Sequence, residues 1–304
     1  MKGAERSEGY LNSVLNGRME STSTNIFPQI VIALVIAAAI FFTFMVLEQL
    51  YKAYISYNSA RVDIYPYTGN VTKEFKQDPN NPMNTTLSVS DNQLTGIEFT
   101  YASFIYVSDD TDSNEEGWKT LFYKGYNSTP FPLCGPGVFL SSSSASNDGP
   151  VLRVVMNTYD NWFNTIDVKQ IPFNKWFHLV LALRKNTLEV YVNGNLAAKK
   201  TFAGTLPYQN YQSLNLFPNN RLVAANFKNE SSNSTNKHGI PPGENFIING
   251  KAIGYISNMT YYRYAVSYSE IQAHMSLGPS NKFDNNGMDK PPYLIDTWWT
   301  QRKG

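Results

Sequence analysis

An uninterrupted apolar run, residues 30–47, is the feature that most constrains what this 304-residue chain can fold into. The run carries no charge, and Thr43 is its one polar residue. As a helix it would span ~27 Å, close to the hydrocarbon thickness of a thin bilayer, and backbone groups inside lipid must hydrogen-bond within their own segment. Because the run begins after 29 residues and is followed by Glu48 rather than by a small-residue cleavage site, we predict an uncleaved membrane anchor and not a signal peptide.

The sequence around this run predicts four regions and leaves the orientation in the membrane open. We expect a polar tail over residues 1–29, a transmembrane helix with a juxtamembrane extension over 30–58, a folded domain over 59–280 and a C-terminal tail over 281–304. The Lys and Arg residues before and after the anchor are too evenly distributed for the positive-inside rule to choose a side. Six N-x-S/T triplets are about as many as chance predicts in a chain this rich in Asn and Ser.

The composition excludes several classes of function. A net charge of +1 provides no electrostatic surface for a nucleic acid, so we expect no nucleic-acid partner. The single cysteine, Cys134, excludes an intramolecular disulfide and a zinc site built from several cysteines. Aromatic residues make up 14 % of the chain, which suits a core made of strands.

The region after the anchor predicts an antiparallel β-sandwich of the jelly-roll type, because short runs rich in Val, Ile, Phe, Tyr and Thr alternate with Gly, Asn, Asp and Pro. The predicted strands are residues 62–65, 96–107, 119–123, 137–141, 151–157, 164–170, 176–184, 188–192, 199–202 and 252–264. One helix is predicted over 267–275, with Ser267 or Ser269 as N-cap and Gly278 just beyond its end.

Residues 171–202 predict the best-defined hairpin of this sandwich. Lys185-Asn186 marks its first turn and Asn193-Gly194 the second, and Asn-Gly is the pair that favours a two-residue turn with positive φ. Both alternating faces of 176–183 are apolar apart from His178, so we expect this strand to be covered on both sides and His178 to be a core or hydrogen-bonded residue.

Two motifs resemble the laminin-G-like branch of the concanavalin A-like lectin/glucanase superfamily. The first is W-x-H with a following apolar residue, starting at Trp176, and then L-x-V-Y-V-N-G over 188–194. The second is GYISNMTYY from Gly254 with AVSYSEI from Ala265, which is similar to the closing strand and short helix of that family. The resemblance covers about residues 94–278 and implies a concanavalin A-like jelly roll, a fold that hosts unrelated activities.

Four further stretches resemble laminin-G-like proteins of large DNA viruses of algae and protists, which often pair one N-terminal anchor with one such domain. They are GIEFTYASFIYV, FYKGYNSTPFPLCGPGVFL, MNTYDNWFNTIDVKQIPFNKW and GTLPYQNYQSLNLF. This resemblance implies a single-pass membrane protein of the virion, a minor capsid protein that ties capsid proteins to an internal membrane. The lone Cys134 agrees with a domain that faces a reducing cytosol. The alternative is a cell-surface lectin-like receptor that binds a glycan.

The motifs of hydrolases are absent, so we predict no enzymatic activity. A retaining glycosidase needs two carboxyl groups about 5 Å apart, and glucanases of this superfamily supply them from an E-x-D-x-x-E strand, which this chain lacks. Glu98 and Glu189 each stand alone in their strands. No G-x-S-x-G elbow accompanies His178 as a base. Glycoside hydrolysis stays a minor alternative.

An acidic loop is the one candidate metal site. Asp109, Asp110 and Asp112 offer the oxygen ligands that Ca²⁺ prefers, and laminin-G-like domains sometimes hold one Ca²⁺ in such loops. The spacing begins like an EF-hand loop, but Glu115 stands where Gly is needed and Leu121 where Glu is needed. We therefore expect either no cofactor or one Ca²⁺ in a looser site.

Aromatic residues in polar, loop-like contexts are the candidates for ligand or partner contact. Trp162, Tyr208 and Tyr211 have Asn161 or Asn210 nearby, and Tyr159 lies close in sequence to Trp162. Trp298 and Trp299 lie beyond the resemblance in the C-terminal tail, where apolar residues either fold back on the domain or dock on a partner.

Overall fold

The computed structural model describes residues 26–82, 84–88, 90, 97–111, 117–128, 131–141, 149–159, 161, 163–202, 206–224 and 246–284. The chain divides into two compact units, Met1–Tyr57 and Asn58–Gly304. The apolar run lies in the first unit, and every strand that the structure describes lies in the second.

Helix α1, Ile26–Ser59, contains the apolar run. Its segment Phe27–Ile55 contains an 18-residue stretch with a mean hydropathy of 3.1, none of it buried against protein, so the segment is long and apolar enough to cross a bilayer. The Thr43 hydroxyl donates to the Ala39 carbonyl at 2.8 Å, which satisfies this polar side chain within the helix. A signal sequence has a similar length and composition, so α1 is compatible with a membrane span or a signal sequence.

The strands of the second unit form two sheets. In chain order they are β1 Arg61–Gly69, β2 Lys73–Phe75, β3 Glu98–Val107, β4 Trp118–Ser128, β5 Phe131–Ser141, β6 Val151–Met156, β7 Asn164–Lys169, β8 Trp176–Arg184, β9 Thr187–Val192, β10 Asn195–Thr201, β11 Leu214–Leu216, β12 Arg221–Ala224, β13 Phe246–Lys251 and β14 Gly254–Tyr262. The first sheet has the order β1-β14-β3-β8-β9-β10, and all its neighbouring strands are antiparallel.

The second sheet has the order β12-β13-β4-β5-β6-β7, and β11 joins it by pairing with both β4 and β2. Its pairs are antiparallel except for β13 beside β4, which is parallel. The aromatic core between the sheets includes Phe99, Tyr101, Phe122, Phe177 and Tyr261, each at most 1 % exposed. The predicted antiparallel β-sandwich with one N-terminal apolar helix is therefore confirmed, and it fits a concanavalin A-like fold.

Helix α2, Tyr268–Leu277, covers the outer face of the first sheet. Ser267 caps its start by a capping box with Glu270, and Gly278 ends it with φ +67°, as the sequence predicted. Ile271 packs on Val180 and Ala102 of the sheet. Strand β8 is therefore buried on both sides, which confirms the prediction from its two apolar faces.

The hairpin turns also follow the prediction. Asn193 and Gly194 both have positive φ, +50° and +76°, and Lys185 has φ +58°. Strands β2, β11, β12 and β13 were not predicted from the sequence. Strands β2 and β11 have three residues each, and they pair with each other, with Leu214 opposite Phe75; β11 also pairs with β4. No local sequence pattern predicts such long-range pairing. Strands β12 and β13 add Leu222 and Phe246 to a second apolar cluster on the outer face of the second sheet.

Candidate functional site

Three exposed or half-buried tyrosines, Tyr159, Tyr208 and Tyr211, form what we call the tyrosine surface. The segment that carries Tyr208 and Tyr211 is held to the end of β6, because the Tyr208 amide donates to the Asn157 carbonyl at 3.1 Å. Its other end lies on β4, where the Gly125 amide donates to the Ser213 carbonyl at 3.1 Å. Gly125 has φ +151°, and a Cβ there would lie 1.6 Å from the Leu133 carbonyl oxygen, so only glycine permits this close approach.

Tyr159 and Tyr208 line a cavity of about 290 Å³ together with Leu133, Asn157 and Thr158; we call it the tyrosine cavity. The two tyrosine rings meet edge to face, with centroids 5.3 Å apart and an interplanar angle of 62°. Asn157 is 1 % exposed, and its Oδ1 has no hydrogen-bond partner among the residues that the structure describes. A buried amide oxygen without a donor is costly. This oxygen is closed to solvent, so a ligand hydroxyl or N–H would reach it only if the wall of the cavity opens.

A second cavity, the lysine cavity, has a volume of about 210 Å³ and is lined by Lys124 and Tyr211 among others. Lys124 is 2 % exposed, and its Nζ donates to the carbonyls of Asn210 and Gln212 at 2.7 and 2.8 Å. Burial lowers the pKa of Lys124 to about 8, because the charged ammonium loses its hydration. Tyr211, at the same cavity, is 74 % exposed.

A pair of buried histidines lies on the opposite sheet, under α2. His178 Nε2 and His274 Nδ1 are 2.8 Å apart; the His274 ring stacks on Phe104, and the His178 ring packs against Phe104 at a tilt of 36°. Burial lowers the pKa of His178 to about 3, helped by His274, and lowers that of His274 to about 4, helped by Arg61. Both imidazoles are therefore neutral near pH 7, which suits a structural role and confirms the prediction for His178 as a core or hydrogen-bonded residue.

The neutral pair has one arrangement of protons that fits its neighbours. If His178 Nε2 donates to His274 Nδ1, then His274 Nε2 can donate to the Thr260 hydroxyl at 3.4 Å, and that hydroxyl donates to Asp63 at 3.0 Å. His178 Nδ1 then carries a lone pair, and it has no hydrogen-bond partner in the described part of the chain. The opposite tautomer would leave a buried N–H at that position, which costs more.

A family model described as the concanavalin A-like lectin/glucanases superfamily, of the laminin-G type, matches residues 81–272. The chain belongs to this superfamily. Its laminin-G-like domain thus contains β3 to β10 and the tyrosine surface. No curated protein sequence matches the chain.

Solved structures share this fold only distantly. The sialidase of Trypanosoma rangeli is 16 % identical with a TM-score of 0.37, over 60 % of this chain and 23 % of the sialidase. The receptor binding domain of botulinum neurotoxin D is 11 % identical with a TM-score of 0.40, over 72 % of this chain and 53 % of that one. The chain thus spans about a quarter to a half of these structures, and neither informs the chemistry of this laminin-G-like domain.

The structure brings some of the predicted contact residues together and leaves others undescribed. Tyr208 lies at the tyrosine cavity and Tyr211 at the lysine cavity, separated in the chain by Gln209 and Asn210. Tyr159 joins Tyr208 across the tyrosine cavity. Trp162, Trp298 and Trp299 lie outside the described residues, so their contacts stay predictions.

The acidic loop is described only at its start. Asp109 is exposed and begins a short 3₁₀ turn, Asp109–Thr111, whose backbone is held by the Asn174 side chain. Asp112 and the side chain of Asp110 lie outside the described residues. Among the residues that the structure describes, no group of three or more His, Cys, Asp or Glu side chains could hold a metal ion. The Ca²⁺ site stays a prediction.

The sequence analysis missed Asn157, Lys124 and His274. Lys124 had a visible signal, because it follows the apolar run Leu121-Phe122-Tyr123 inside a strand, where a charged residue is unusual. Asn157 and His274 had none, since an amide at the end of a predicted strand or an imidazole in a predicted helix looks the same whether or not tertiary structure later buries it.

Proposed function

We propose that this chain is a non-catalytic, membrane-anchored binding protein whose laminin-G-like domain holds a carbohydrate at the tyrosine cavity. The observation that supports this most directly is the unpaired Oδ1 of Asn157 in a cavity walled by Tyr159 and Tyr208. The apolar face of a sugar ring suits an aromatic wall, and a sugar hydroxyl is the donor that the buried amide oxygen lacks. Ligand cavities of this kind combine mostly apolar walls with a few fixed polar atoms.

The environment of the strand carboxylates supports binding rather than hydrolysis. Burial raises the pKa of Glu189, but hydrogen bonds from Lys199 and Tyr191 outweigh burial and hold the pKa below its usual value. A general acid for glycoside cleavage needs a raised pKa. Glu98 faces Arg184 across the β3–β8 pair, two strands away from Glu189. Glycoside hydrolysis is therefore the less favoured alternative.

A glycan array probed with the full chain in detergent micelles tests the proposal. We expect wild type to bind a subset of glycans, and Tyr159→Ala and Tyr208→Ala to bind them at least about tenfold more weakly, since each removes one aromatic wall of the cavity. Tyr268→Ala is the matched control, because Tyr268 is a comparably exposed tyrosine on α2. Binding that is equal in all three variants would count against the tyrosine cavity, and an array without any bound glycan would overturn carbohydrate binding.

The setting that we propose for this protein is a virion membrane, where the domain links capsid proteins to the bilayer as a minor capsid component. Two observations support it: the resemblance of four stretches to viral laminin-G-like proteins, and the thiol of Cys134. That thiol is buried, and burial raises its pKa, so it stays protonated and needs no oxidising compartment. The helix α1 supplies the anchor in this proposal.

Protease protection of intact membranes tests this setting, with an antibody against the C-terminus as the reporter. Digestion from the cytosolic side is the result expected for a tether between an internal membrane and a capsid. Protection of the domain would overturn the tether and favour the alternative, a cell-surface lectin-like receptor or attachment protein. Loss of the N-terminal segment from the mature protein would show that α1 is a cleaved signal sequence instead.

A further inference from the structure

Lys124 carries a buried positive charge that the described protein does not neutralise. An ammonium group has three N–H donors, and two of them reach the carbonyls of Asn210 and Gln212. Ion pairs elsewhere in the domain, such as Arg153 with Asp167, join a cation to a carboxylate at short distance. Lys124 has no such carboxylate in the part of the chain that the structure describes. A buried charge without a counter-ion is destabilising. A ligand in the adjacent cavity could provide the counter-ion that Lys124 lacks.

Two amide side chains of the lysine cavity, Gln77 and Gln209, are already engaged. Gln77 donates to the Phe75 carbonyl and accepts from the Leu87 amide. Gln209 accepts from the Ser90 amide and donates to the Tyr261 hydroxyl. The third N–H of Lys124 is therefore the strongest donor left for a ligand, and the remaining wall is formed by the apolar surfaces of Pro79, Leu87 and Tyr211.

We propose that the lysine cavity binds the carboxylate of an acidic sugar, with Lys124 Nζ as the counter-ion and Tyr211 against the sugar ring. A carboxylate is the group that both neutralises the ammonium and accepts its third hydrogen bond. A sugar is the body favoured here because Tyr211 is separated from Tyr208 of the tyrosine cavity by only two residues. The inference that the ligand is a sugar rests on the proposed function, whereas the inference that it carries a carboxylate rests on Lys124 alone.

Sodium glucuronate and glucuronamide form a matched pair of probes, because a neutral carboxamide replaces the charged carboxylate and the rest of the sugar is the same. We expect ¹⁵N-lysine NMR of the full chain in detergent micelles to show that glucuronate shifts the Lys124 Nζ signal and raises its pKa. A concentration of ten times the Kd should raise it by about one unit. Glucuronamide should leave both unchanged. Equal responses to the two probes would overturn the proposal.

The pH dependence of binding provides a second readout on the unmodified protein. Burial lowers the pKa of Lys124 to about 8, so the ammonium form falls from most of the population at pH 7 to a small fraction at pH 9.5. We therefore expect the affinity for glucuronate to fall about 30-fold over this range. An affinity that stays constant would overturn the proposal even if every Lys124 variant failed to fold.

Variants separate this inference from the proposed function. Lys124→Met should abolish the glucuronate response, whereas Lys175→Met, which removes an exposed lysine at a distant turn, should keep it. Tyr159→Ala should lose neutral glycans and keep glucuronate, because Tyr159 does not line the lysine cavity. Loss of glucuronate binding in Lys175→Met would attribute the response to general surface charge and refute a site at Lys124. Binding of glucuronate without any neutral glycan would refute only the proposed function.

Discussion

The region under α2 and the tyrosine surface differ in whether their buried polar atoms have partners within the described protein. Under α2, the donors of His178, His274 and Thr260 form one chain that ends on the carboxylate of Asp63. At the tyrosine surface, Asn157 Oδ1 has no donor and the Lys124 ammonium has no carboxylate in the described protein. His178, His274, Asn157 and Lys124 are all almost fully buried, so the exposure of these residues does not distinguish the two regions.

This difference separates buried polar groups that stabilise the fold from those that we propose to bind a ligand. A polar chain whose donors are all satisfied within the protein fixes how α2 sits on its sheet, and the lone pair of His178 Nδ1 is the one atom of that chain without a partner in the described residues. A polar atom left unpaired beside a cavity costs stability, so binding is the physical reason to keep it. Substitutions at His178 and His274, which we call the histidine face, should therefore change the free energy of unfolding. Substitutions at the tyrosine surface should change ligand affinity.

The largest effect expected from this contrast is on the pH dependence of the free energy of unfolding. Unfolded histidines take up protons near pH 6.5, whereas folded His178 and His274 resist protonation down to about pH 3 and 4. Between these values the unfolded state binds more protons, so the stability gained from neutral histidines is present above pH 6.5 and is lost as the pH falls. We expect the free energy of unfolding to drop by about 4 kcal/mol from pH 7 to pH 5, about 2 kcal/mol per histidine.

Chemical denaturation of the full chain in detergent micelles measures this drop. The control is the double variant His178→Leu with His274→Leu, which retains apolar volume and has no group to protonate at that position. Its unfolding free energy should lose about 4 kcal/mol less than wild type over the same pH range. A wild-type profile that is flat between pH 7 and pH 5, or equally steep in the double variant, contradicts the buried neutral pair.

Breaking the pair on one side is the next largest effect. His274→Ala leaves a cavity beside Phe104 and removes the acceptor for the His178 N–H, so we expect a loss of about 3 kcal/mol at pH 7. Thermal denaturation against wild type checks this value. Tyr268→Ala on the same helix removes an exposed ring and should cost less than about 0.5 kcal/mol. Equal costs for the two variants would show that the pair contributes nothing beyond helix formation.

The features that were predicted from the sequence depend on contacts between residues close together in the chain, and the features that were not depend on residues far apart. Strand β8 was predicted with its observed ends, because both faces of 176–183 are apolar and the turn residues follow directly. His178 was predicted to be a core or hydrogen-bonded residue for the same local reason. Its partner lies 96 residues away on α2, and periodicity reports the face of a residue but not what lies across from it.

The tyrosine surface shows the same limit. Tyr208 and Tyr211 were visible as aromatics among Asn and Gln, a local signal. Asn157 matters because Oδ1 finds no donor after the segment of Tyr208 crosses it, which only the assembled fold decides. Strands β2 and β11 were missed for a related reason, since their short ladders depend on a pairing between residues about 140 positions apart.

An intermediate effect is expected at Lys124, in the same pH direction as at the histidines but at alkaline pH. The ordinary lysine pKa is 10.5 and that of folded Lys124 is about 8, so the unfolded state binds more protons between these values. The penalty of the buried charge is present in full below pH 8 and fades as the pH rises. Relative to Lys124→Met, wild type should gain about 2 kcal/mol of unfolding free energy from pH 7 to pH 9.5.

Parallel denaturation of wild type and Lys124→Met at the two pH values measures that difference, because other titrating groups cancel between them. A difference that does not change with pH would mean that Lys124 already has a counter-ion in the folded protein. The lysine cavity would then belong with the satisfied histidine face, and the contrast between the two faces would fail at this residue.

The smallest effect on stability is expected where the effect on binding is expected to be largest. Tyr159 is 66 % exposed, so Tyr159→Ala removes little buried surface and should change the free energy of unfolding by less than about 0.5 kcal/mol. Its ring is nevertheless one wall of the tyrosine cavity, and its loss should weaken glycan binding at least about tenfold. Denaturation and glycan binding measured on the same preparation decide between the alternatives. A cost above about 2 kcal/mol would mean that Tyr159 supports the fold through Tyr208, and the tyrosine surface would then be part of the structural packing rather than a place where the protein leaves polar atoms open for a ligand.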